Sequence, residues 1–145
     1  MIFTENLNEI DSSESYYKVL LCNKDVLVVA FINIGISNHE LNTEENLKFI
    51  EKCYIICYSI DFLKVNNTVL YDNKNDSQTY YFGGFNLSAD NITDIEIKTN
   101  KLILKVCNDS KIQNNHFIPI DTPSFKTNMD TTEVNLFFDT QLRIL

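Results

Sequence analysis

The stretch that decides the fold is ITDIEIKTNKLILKV, which occupies residues 92–106. Its apolar side chains recur at every second position in each half of the stretch: Ile95, Ile97, Leu102, Leu104 and Val106. Successive side chains of a β-strand point to opposite faces, so this alternation predicts one buried face and one solvated face. The polar pair Asn100-Lys101 separates the two halves, and we therefore predict an antiparallel hairpin that turns there.

A second hairpin is predicted earlier in the chain. Residues 16–22 and 26–32 are rich in β-branched and aromatic side chains, and a polar segment that contains Asn23 and Asp25 separates them. Apolar segments joined by Asn and Asp are typical of strands that pair across a short turn.

The middle of the chain continues the β pattern. Residues 54–62 carry large side chains at every even position, which predicts a strand with one bulky face. Asn66-Asn67 predicts a two-residue turn into a strand over 68–71, and the polar tip 72–77 predicts a hairpin between that strand and 78–82. Towards the C-terminus we expect a short edge strand at 116–120, near Pro119. Residues 131–145 allow two structures: the alternation of Val134, Leu136 and Phe138 favours a strand, and Asp130 with Glu133 could instead cap a helix.

One segment has the pattern of a helix. Asn42 and Glu45 have the spacing of an N-terminal capping box, and Leu47, Ile50 and Tyr54 fall on one helical face. We predict one short helix over residues 43–53. The expected fold is mainly β (α+β): a single domain of residues 1–145 with an antiparallel, hairpin-rich curved sheet or open barrel.

Two of the three glycines lie in TYYFGGFN, residues 79–86. A phosphate-binding loop would carry GK[ST] or GxGxxG, and neither pattern is present. A glycine pair at the end of a strand is more typical of a bend, a bulge or a close backbone approach. Because Tyr80 and Phe82 alternate with Tyr81, one of these two sets should be core and the other an exposed aromatic patch.

The net charge of the protein limits the kinds of partner that it can bind. With 20 acidic residues and 12 Lys or Arg, the net charge is −8. Such a balance argues against binding to nucleic acid or to an anionic membrane, and it suits a basic partner. The N-terminal residues have no secretory pattern, and the apolar run 26–36 is shorter than the roughly 20 residues that span a bilayer. The expected location is the cytoplasm.

The sequence contains no recognisable catalytic or metal-binding pattern. The four cysteines have no CxxC spacing, which favours reduced, buried thiols. The two histidines, His39 and His116, have no metal-ligand spacing. Cys57 or Cys107 with a histidine is the one nucleophilic pair left open, and no local signature supports it. We therefore expect a protein that is not an enzyme and that needs no metal or other cofactor.

Two segments resemble a known class. FGGFNLSADN (82–91) and DIEIKTNKLILKV (94–106) resemble modules of small bacterial immunity proteins of polymorphic-toxin and contact-dependent growth inhibition systems. The resemblance implies a cytosolic, non-enzymatic toxin inhibitor that acts by protein-protein interaction with its cognate toxin, often a nuclease.

For such an inhibitor we predict partner contacts on the acidic edge of the helix and on the tip at 72–77. Acidic side chains on protruding elements dock on basic surfaces and speed association, and tyrosines serve as anchors. The predicted partner-binding residues are Glu44, Glu45, Glu51, Tyr71, Asp72, Asp76 and Tyr80. The alternative function is a small-ligand-binding, β-barrel-like protein that closes near Gly83-Gly84 and is lined by Tyr and Phe.

Overall fold

The computed structural model describes residues 2–3, 9–37, 48–86, 90–106 and 110–115. These residues form ten strands and no helix. The strands are β1 (Ile2–Phe3), β2 (Glu9–Asp11), β3 (Tyr16–Cys22), β4 (Val26–Ser37), β5 (Lys48–Val65), β6 (Thr68–Asp72), β7 (Gln78–Phe82), β8 (Phe85–Asn86), β9 (Ile95–Val106) and β10 (Ile112–Gln113).

The sheet is built on β5 and β9, which pair antiparallel along most of their length, from Cys53 opposite Val106 to Val65 opposite Ile95. On its other edge, β5 pairs first with β4 and then with β6. On its other edge, β9 pairs with β7 and with β1. Strand β3 adds outside β4, and the result is one strongly curled, half-barrel sheet. The predicted fold class, a mainly β curved sheet, is confirmed.

The segment 78–86 contacts both margins of this curled sheet. Strand β7 pairs antiparallel with β9, and β8, only a few residues later, pairs in parallel with β3. The backbone N–H of Phe85 also donates to the carbonyl oxygen of Ser15 at 2.9 Å. The glycine pair lies between the two strands, at the point where the chain crosses from one margin to the other.

One face of the sheet carries the main core. The largest fully buried side chains include Tyr17, Phe31, Ile55, Leu63, Phe82 and Ile97. Alternation puts a smaller apolar cluster on the opposite face, where Val28, Ala30 and Tyr54 are buried. The predicted hairpin of residues 16–32 is confirmed as β3 and β4, and its turn is fixed by Asn23, whose Oδ1 accepts the N–H groups of Asp25 and Val26.

The hairpin predicted at Asn100-Lys101 is wrong, although its burial pattern is right. Strand β9 runs without a turn from Ile95 to Val106 because the single strand β5 is long enough to pair with both halves. The parity of the buried positions changes at Asn100 and Lys101, which are both exposed. There the N–H of Lys101 bonds to the side-chain oxygen of Thr99 at 3.1 Å. Strand β9 therefore changes which alternate positions are buried through a local irregularity, without a turn.

The helix predicted over 43–53 is wrong for residues 48–53, which belong to β5. Lys48 pairs with Ile36 of β4, and Phe49 and Ile50 are buried within the sheet. Pairing with neighbouring strands outweighs the local helical pattern here, because tertiary context routinely overrides propensity. Residues 43–47 lie outside the described part of the chain.

The other middle strands form as predicted but pair differently in one case. The turn at Asn66-Asn67 is confirmed, with φ values of 49° and 67°. The hairpin predicted between 68–71 and 78–82 is wrong, because β6 pairs with β5 whereas β7 pairs with β9. The strand predicted at 116–120 and the strand or helix expected within 131–145 lie outside the described residues. In the part of the chain described, no helix is long and apolar enough to cross a membrane.

Candidate functional site: an acidic groove at the crossing segment

The crossing of the chain at Gly83-Gly84 requires a glycine at its second position. Gly84 has a φ of +115°, and a Cβ placed there would lie 2.5 Å from the carbonyl oxygen of Ser15 and 2.6 Å from that of Ser12. No side chain fits at such distances, so the backbones meet here directly. The N–H of Gly83 donates to Ser12 Oγ at 2.8 Å, which fastens the crossing to the turn after β2. The close backbone approach predicted for this pair is confirmed.

Beside this crossing lies an open groove of about 620 Å³. Its walls are the end of β2 with the following turn (10–13), the crossing segment (81–85), the start of β9 (94–96), Lys64 of β5 and Asn67 of the next turn. We call this site the acidic groove. The glycine pair therefore both bends the chain and lines a binding-sized concavity.

A row of three side chains crosses one wall of the acidic groove. Lys64 lies opposite Glu96, and Glu96 lies opposite Tyr81, so the three share one face of neighbouring strands. Tyr81 is 66% exposed, whereas its neighbours Tyr80 and Phe82 are buried on the core face. The predicted division of these aromatics is confirmed: Tyr80 and Phe82 form the core set, and Tyr81 is the exposed one.

A second aromatic ring is held at the groove by stacking. Phe85 is 48% exposed, and its ring lies on that of the buried Tyr16, with centroids 5.0 Å apart and planes inclined by 21°. Offset stacking of this kind stabilises the orientation of a ring. Phe85 is thus presented at the groove in a fixed position.

The charge of the groove is negative. Three carboxylates, Asp11, Asp94 and Glu96, line it together with the single ammonium of Lys64. None of the three makes an ion pair with another described residue. Asp11 is oriented by its own turn, since its Oδ1 accepts the N–H of Ser13 at 3.0 Å and the Ser13 hydroxyl at 2.6 Å. A concave, net-negative site with carboxylates free of ion pairs attracts cations.

The five predicted partner-binding residues that the structure describes do not line the groove. Glu44 and Glu45 lie outside the described residues. Glu51 is half-buried in β5, where its N–H donates to the carbonyl of Lys111. Tyr71 is half-buried on β6 and packs against the main core, and Tyr80 is only 9% exposed within that core.

The two predicted acids of the tip are exposed and partly engaged. Asp72 Oδ1 accepts the N–H of Lys74 at 2.9 Å, and its other oxygen lies 3.2 Å from the Lys74 ammonium. The backbone hydrogen bond first, and then the side chain of Lys74, lower the pKa of Asp72. Asp76 pairs with Lys98 at 3.7 Å. Lys98 follows Glu96 by two residues on the same side of β9, so the tip borders the groove.

The tip is anchored from below by Asp61. This residue is 6% exposed, its Oδ1 accepts the side-chain amide of Asn73 at 2.8 Å, and its carbonyl accepts the Asn73 N–H at 3.0 Å. The hydroxyl of Ser77 beside the carboxylate, followed by the Asn73 amide, lowers the pKa of Asp61. An ionised carboxylate thus holds the base of the loop.

The cysteines within the described residues are free thiols. Cys53 and Cys57 are fully buried, and burial raises the pKa of Cys57 to about 12. A nucleophilic cysteine needs the opposite shift, since the thiolate is the reactive form. Among the described residues, no group of three or more His, Cys, Asp or Glu side chains is arranged to hold a metal ion. Cys107 and both histidines lie outside those residues.

Sequence reasoning missed the groove itself. The exposure of Tyr81 follows from alternation along 80–82, and that signal was available. The approach of 10–13 to 81–85 and 94–96 depends on the crossing of the chain, which no local pattern encodes. Comparison with protein-family models gives no match, and searches of curated proteins and of solved structures give none either.

Proposed function

We propose that this protein is a non-enzymatic binding protein that holds a basic protein partner at the acidic groove. The observation that carries the proposal is the combination, in one concave site, of two exposed aromatic rings with three carboxylates that form no ion pair with a described residue. Aromatic side chains supply the anchors of protein interfaces, and complementary charge supplies specificity and a fast encounter. Tyr81 takes the anchoring role that the sequence suggested for Tyr80.

Among basic partners we propose a cognate toxin domain, so that the protein acts as a cytoplasmic immunity protein and neutralises the toxin by direct binding. The net charge of −8 supports this proposal, since nuclease toxins must present basic surfaces to nucleic acid. The two segments that resemble immunity proteins, 82–91 and 94–106, contribute part of the groove wall. The proposal needs no cofactor and no membrane or nucleic-acid contact.

The predicted contacts at the tip extend this surface. Asp72 and Asp76 are exposed beside the groove, and a toxin domain that covers a standard interface of about 800 Å² per partner would reach both sites. Glu44, Glu45 and Glu51 remain predicted contacts at the start of β5 and before it.

Co-expression with the toxin tests the proposal. The C-terminal domain encoded by the adjacent upstream reading frame is expressed alone and together with this protein, and surviving cells are counted. We expect killing that this protein rescues, and a stable one-to-one complex on co-purification. The absence of both toxicity and a complex would refute the immunity function.

A matched pair of variants tests the site. Glu96→Lys reverses a charge inside the groove, and Asp25→Lys reverses one on the exposed turn between β3 and β4. Loss of rescue with the first variant and full rescue with the second are expected. Equal rescue by both would show that the partner binds elsewhere.

A small-ligand-binding function is the second candidate, because the groove has a suitable size. Ligand sites commonly enclose about 300–1,000 Å³ and combine apolar walls with a few polar groups. The groove, at about 620 Å³ with Tyr81 and Phe85 beside carboxylates, meets that description. A thermal-shift screen of small cationic and aromatic compounds tests this function. A compound that stabilises the wild type but not Tyr81→Ala would support it.

A further inference from the structure

The acidic groove is built for one arginine side chain of the partner, and we infer that it selects arginine over lysine. This inference rests on the proposed function, since it names the chemical group by which the basic partner is held. The preference follows from two neighbouring carboxylates and the rings beside them, and the lysines that lie over other rings of the same sheet support a cation as the ligand.

Two of the carboxylates are close neighbours along the chain. Asp94 and Glu96 are two residues apart, so their Cα atoms are separated by about 6.6 Å along the chain, and both line the groove. A guanidinium presents five N–H donors in a rigid plane and can donate to two carboxylates at once. An ammonium is a compact point charge, and it satisfies one carboxylate at a time.

The rings favour a planar cation. Tyr81 lies directly opposite Glu96, so its ring begins within about 5 Å of that side chain. A guanidinium stacks flat on an aromatic ring while its edge still donates hydrogen bonds to carboxylates. A lysine over the same ring turns its ammonium towards the ring and gives up part of its hydration. Lys64, on the other side of Glu96, offsets one of the three carboxylates, so the groove keeps a net negative charge that favours a cationic ligand.

The rest of the sheet supplies a direct comparison. Three lysines of β9 each lie over an aromatic ring of β5, at 5.2 to 5.6 Å from the ring centroid: Lys98 over Phe62, Lys101 over Tyr58 and Lys105 over Tyr54. Tyr81 and Phe85 have no such lysine among the described residues. Three rings of β5 that lie beside lysines of β9 are thus paired with cations, whereas the two exposed rings at the groove are not. The cation missing there is the one that the partner provides.

The site is ordered before the ligand arrives. Phe85 is fixed by its stack on Tyr16, and the crossing beside it is held by hydrogen bonds from the Gly83 N–H to Ser12 Oγ and from the Phe85 N–H to the carbonyl oxygen of Ser15. Binding therefore loses little conformational freedom on the protein side, which raises affinity for a small group.

Titration followed by NMR tests the inference on the full chain. The probes are N-acetyl-arginine amide, N-acetyl-lysine amide and N-acetyl-citrulline amide at one ionic strength. We expect saturating shifts of the backbone amides of Tyr81, Gly83, Gly84, Phe85 and Glu96 with the arginine probe. Binding of the lysine probe should be about threefold weaker, as stacking at an exposed site allows. The citrulline probe has the shape of arginine without its charge, and it should cause no shifts of these amides.

Variants separate the contribution of charge from that of stacking. Glu96→Gln should weaken both cationic probes, Tyr81→Leu should remove the preference for arginine, and Asp25→Asn, the matched loss of one charge, should change neither. Equal binding of arginine and lysine to the wild type, shifts spread over the whole acidic surface, or no binding of any probe would overturn the inference.

Failure of the arginine site can be distinguished from failure of the proposed function. If the arginine probe binds the groove but no toxin complex forms, the proposed function fails and the arginine site stands. If a toxin complex forms and survives both Glu96→Gln and Tyr81→Leu, the partner is real and the arginine site is refuted.

Discussion

Substitution of Gly84 by alanine should destabilise the protein by about 3 kcal/mol, because two separate penalties fall on one added methyl group. The first is the φ of +115°, which is nearly exclusive to glycine and costs on the order of 1–3 kcal/mol for another residue. The second is overlap with two backbone oxygens, of Ser15 at 2.5 Å and of Ser12 at 2.6 Å. Neither oxygen can rotate away, so the crossing must shift, and such overpacking typically costs about 1–3 kcal/mol.

Gly83 provides the control for the same chemical change one residue away. Its added Cβ would meet only the carbonyl oxygen of Thr93, at 3.9 Å, and its φ lies outside the left-handed region. Gly83→Ala should therefore be neutral or stabilising by about 0.4–1 kcal/mol, through the reduced entropy of the unfolded chain.

Urea unfolding and thermal melting of the three proteins measure the difference. For a chain of this length, about 3 kcal/mol corresponds to a fall in Tm of about 6–12 °C for Gly84→Ala. A Gly84→Ala variant within about 0.5 kcal/mol of the wild type, or a Gly83→Ala variant equally destabilised, would refute this account of the crossing.

Three further predictions concern charge, pH and reactivity. The folded protein lowers the pKa of Asp61, so its contribution to stability is present above the ordinary value of about 3.9 and is lost as the pH falls through the lower folded value. Urea midpoints measured from about pH 5 to about pH 2 should show this loss of stability. Asp61→Asn should remove that part of the pH dependence. If the pH dependence of the variant equals that of the wild type, Asp61 does not hold the loop 72–77. Cys57, with a pKa of about 12 and full burial, should stay unlabelled by iodoacetamide near pH 8 until urea unfolds the chain, as read by peptide mass spectrometry; rapid labelling of the native protein would contradict its burial. Glu96→Lys should slow association with the toxin domain and flatten its salt dependence in stopped-flow measurements, whereas Asp25→Lys should do so much less; equal effects would point to a diffuse acidic surface.

Burial along β9 was predictable from the sequence because parity is a local property. Ile95 and Ile97 share one face whatever the strand pairs with, and the same holds for Leu102 and Leu104. The change of parity between them has two structural solutions, a turn or an irregularity within a strand. The choice depends on whether a partner strand is long enough to pair with both halves, and the length of β5 is not encoded in residues 95–106.

The start of β5 was mispredicted for a related reason. The capping pattern before residue 48 and the spacing of apolar residues both favour a helix when the segment is considered alone. In the fold, residues 48–50 pair with β4 on one side and β10 on the other, so backbone hydrogen bonds to two neighbours decide the structure. The acidic groove could not be predicted from the sequence for the same reason, since its walls combine residues 10–13 with residues between 64 and 96, which meet where Gly84 lets the chain cross.

The crossing also has a consequence for how the molecule opens. Strand β8 is held to β3 over only two residues, whereas β5 and β9 are paired along most of their length. Local opening costs less free energy where fewer backbone pairs hold a strand. The amides between β8 and β3, at the seam of the sheet, should therefore exchange through an opening of lower free energy than the amides between β5 and β9. A ligand in the acidic groove would contact Phe85 of β8 together with the turn at 10–13, and so would hold β8 in place beside that seam. Binding would therefore suppress the opening and slow exchange there, which makes the seam a reporter of occupancy that needs no knowledge of what the partner does.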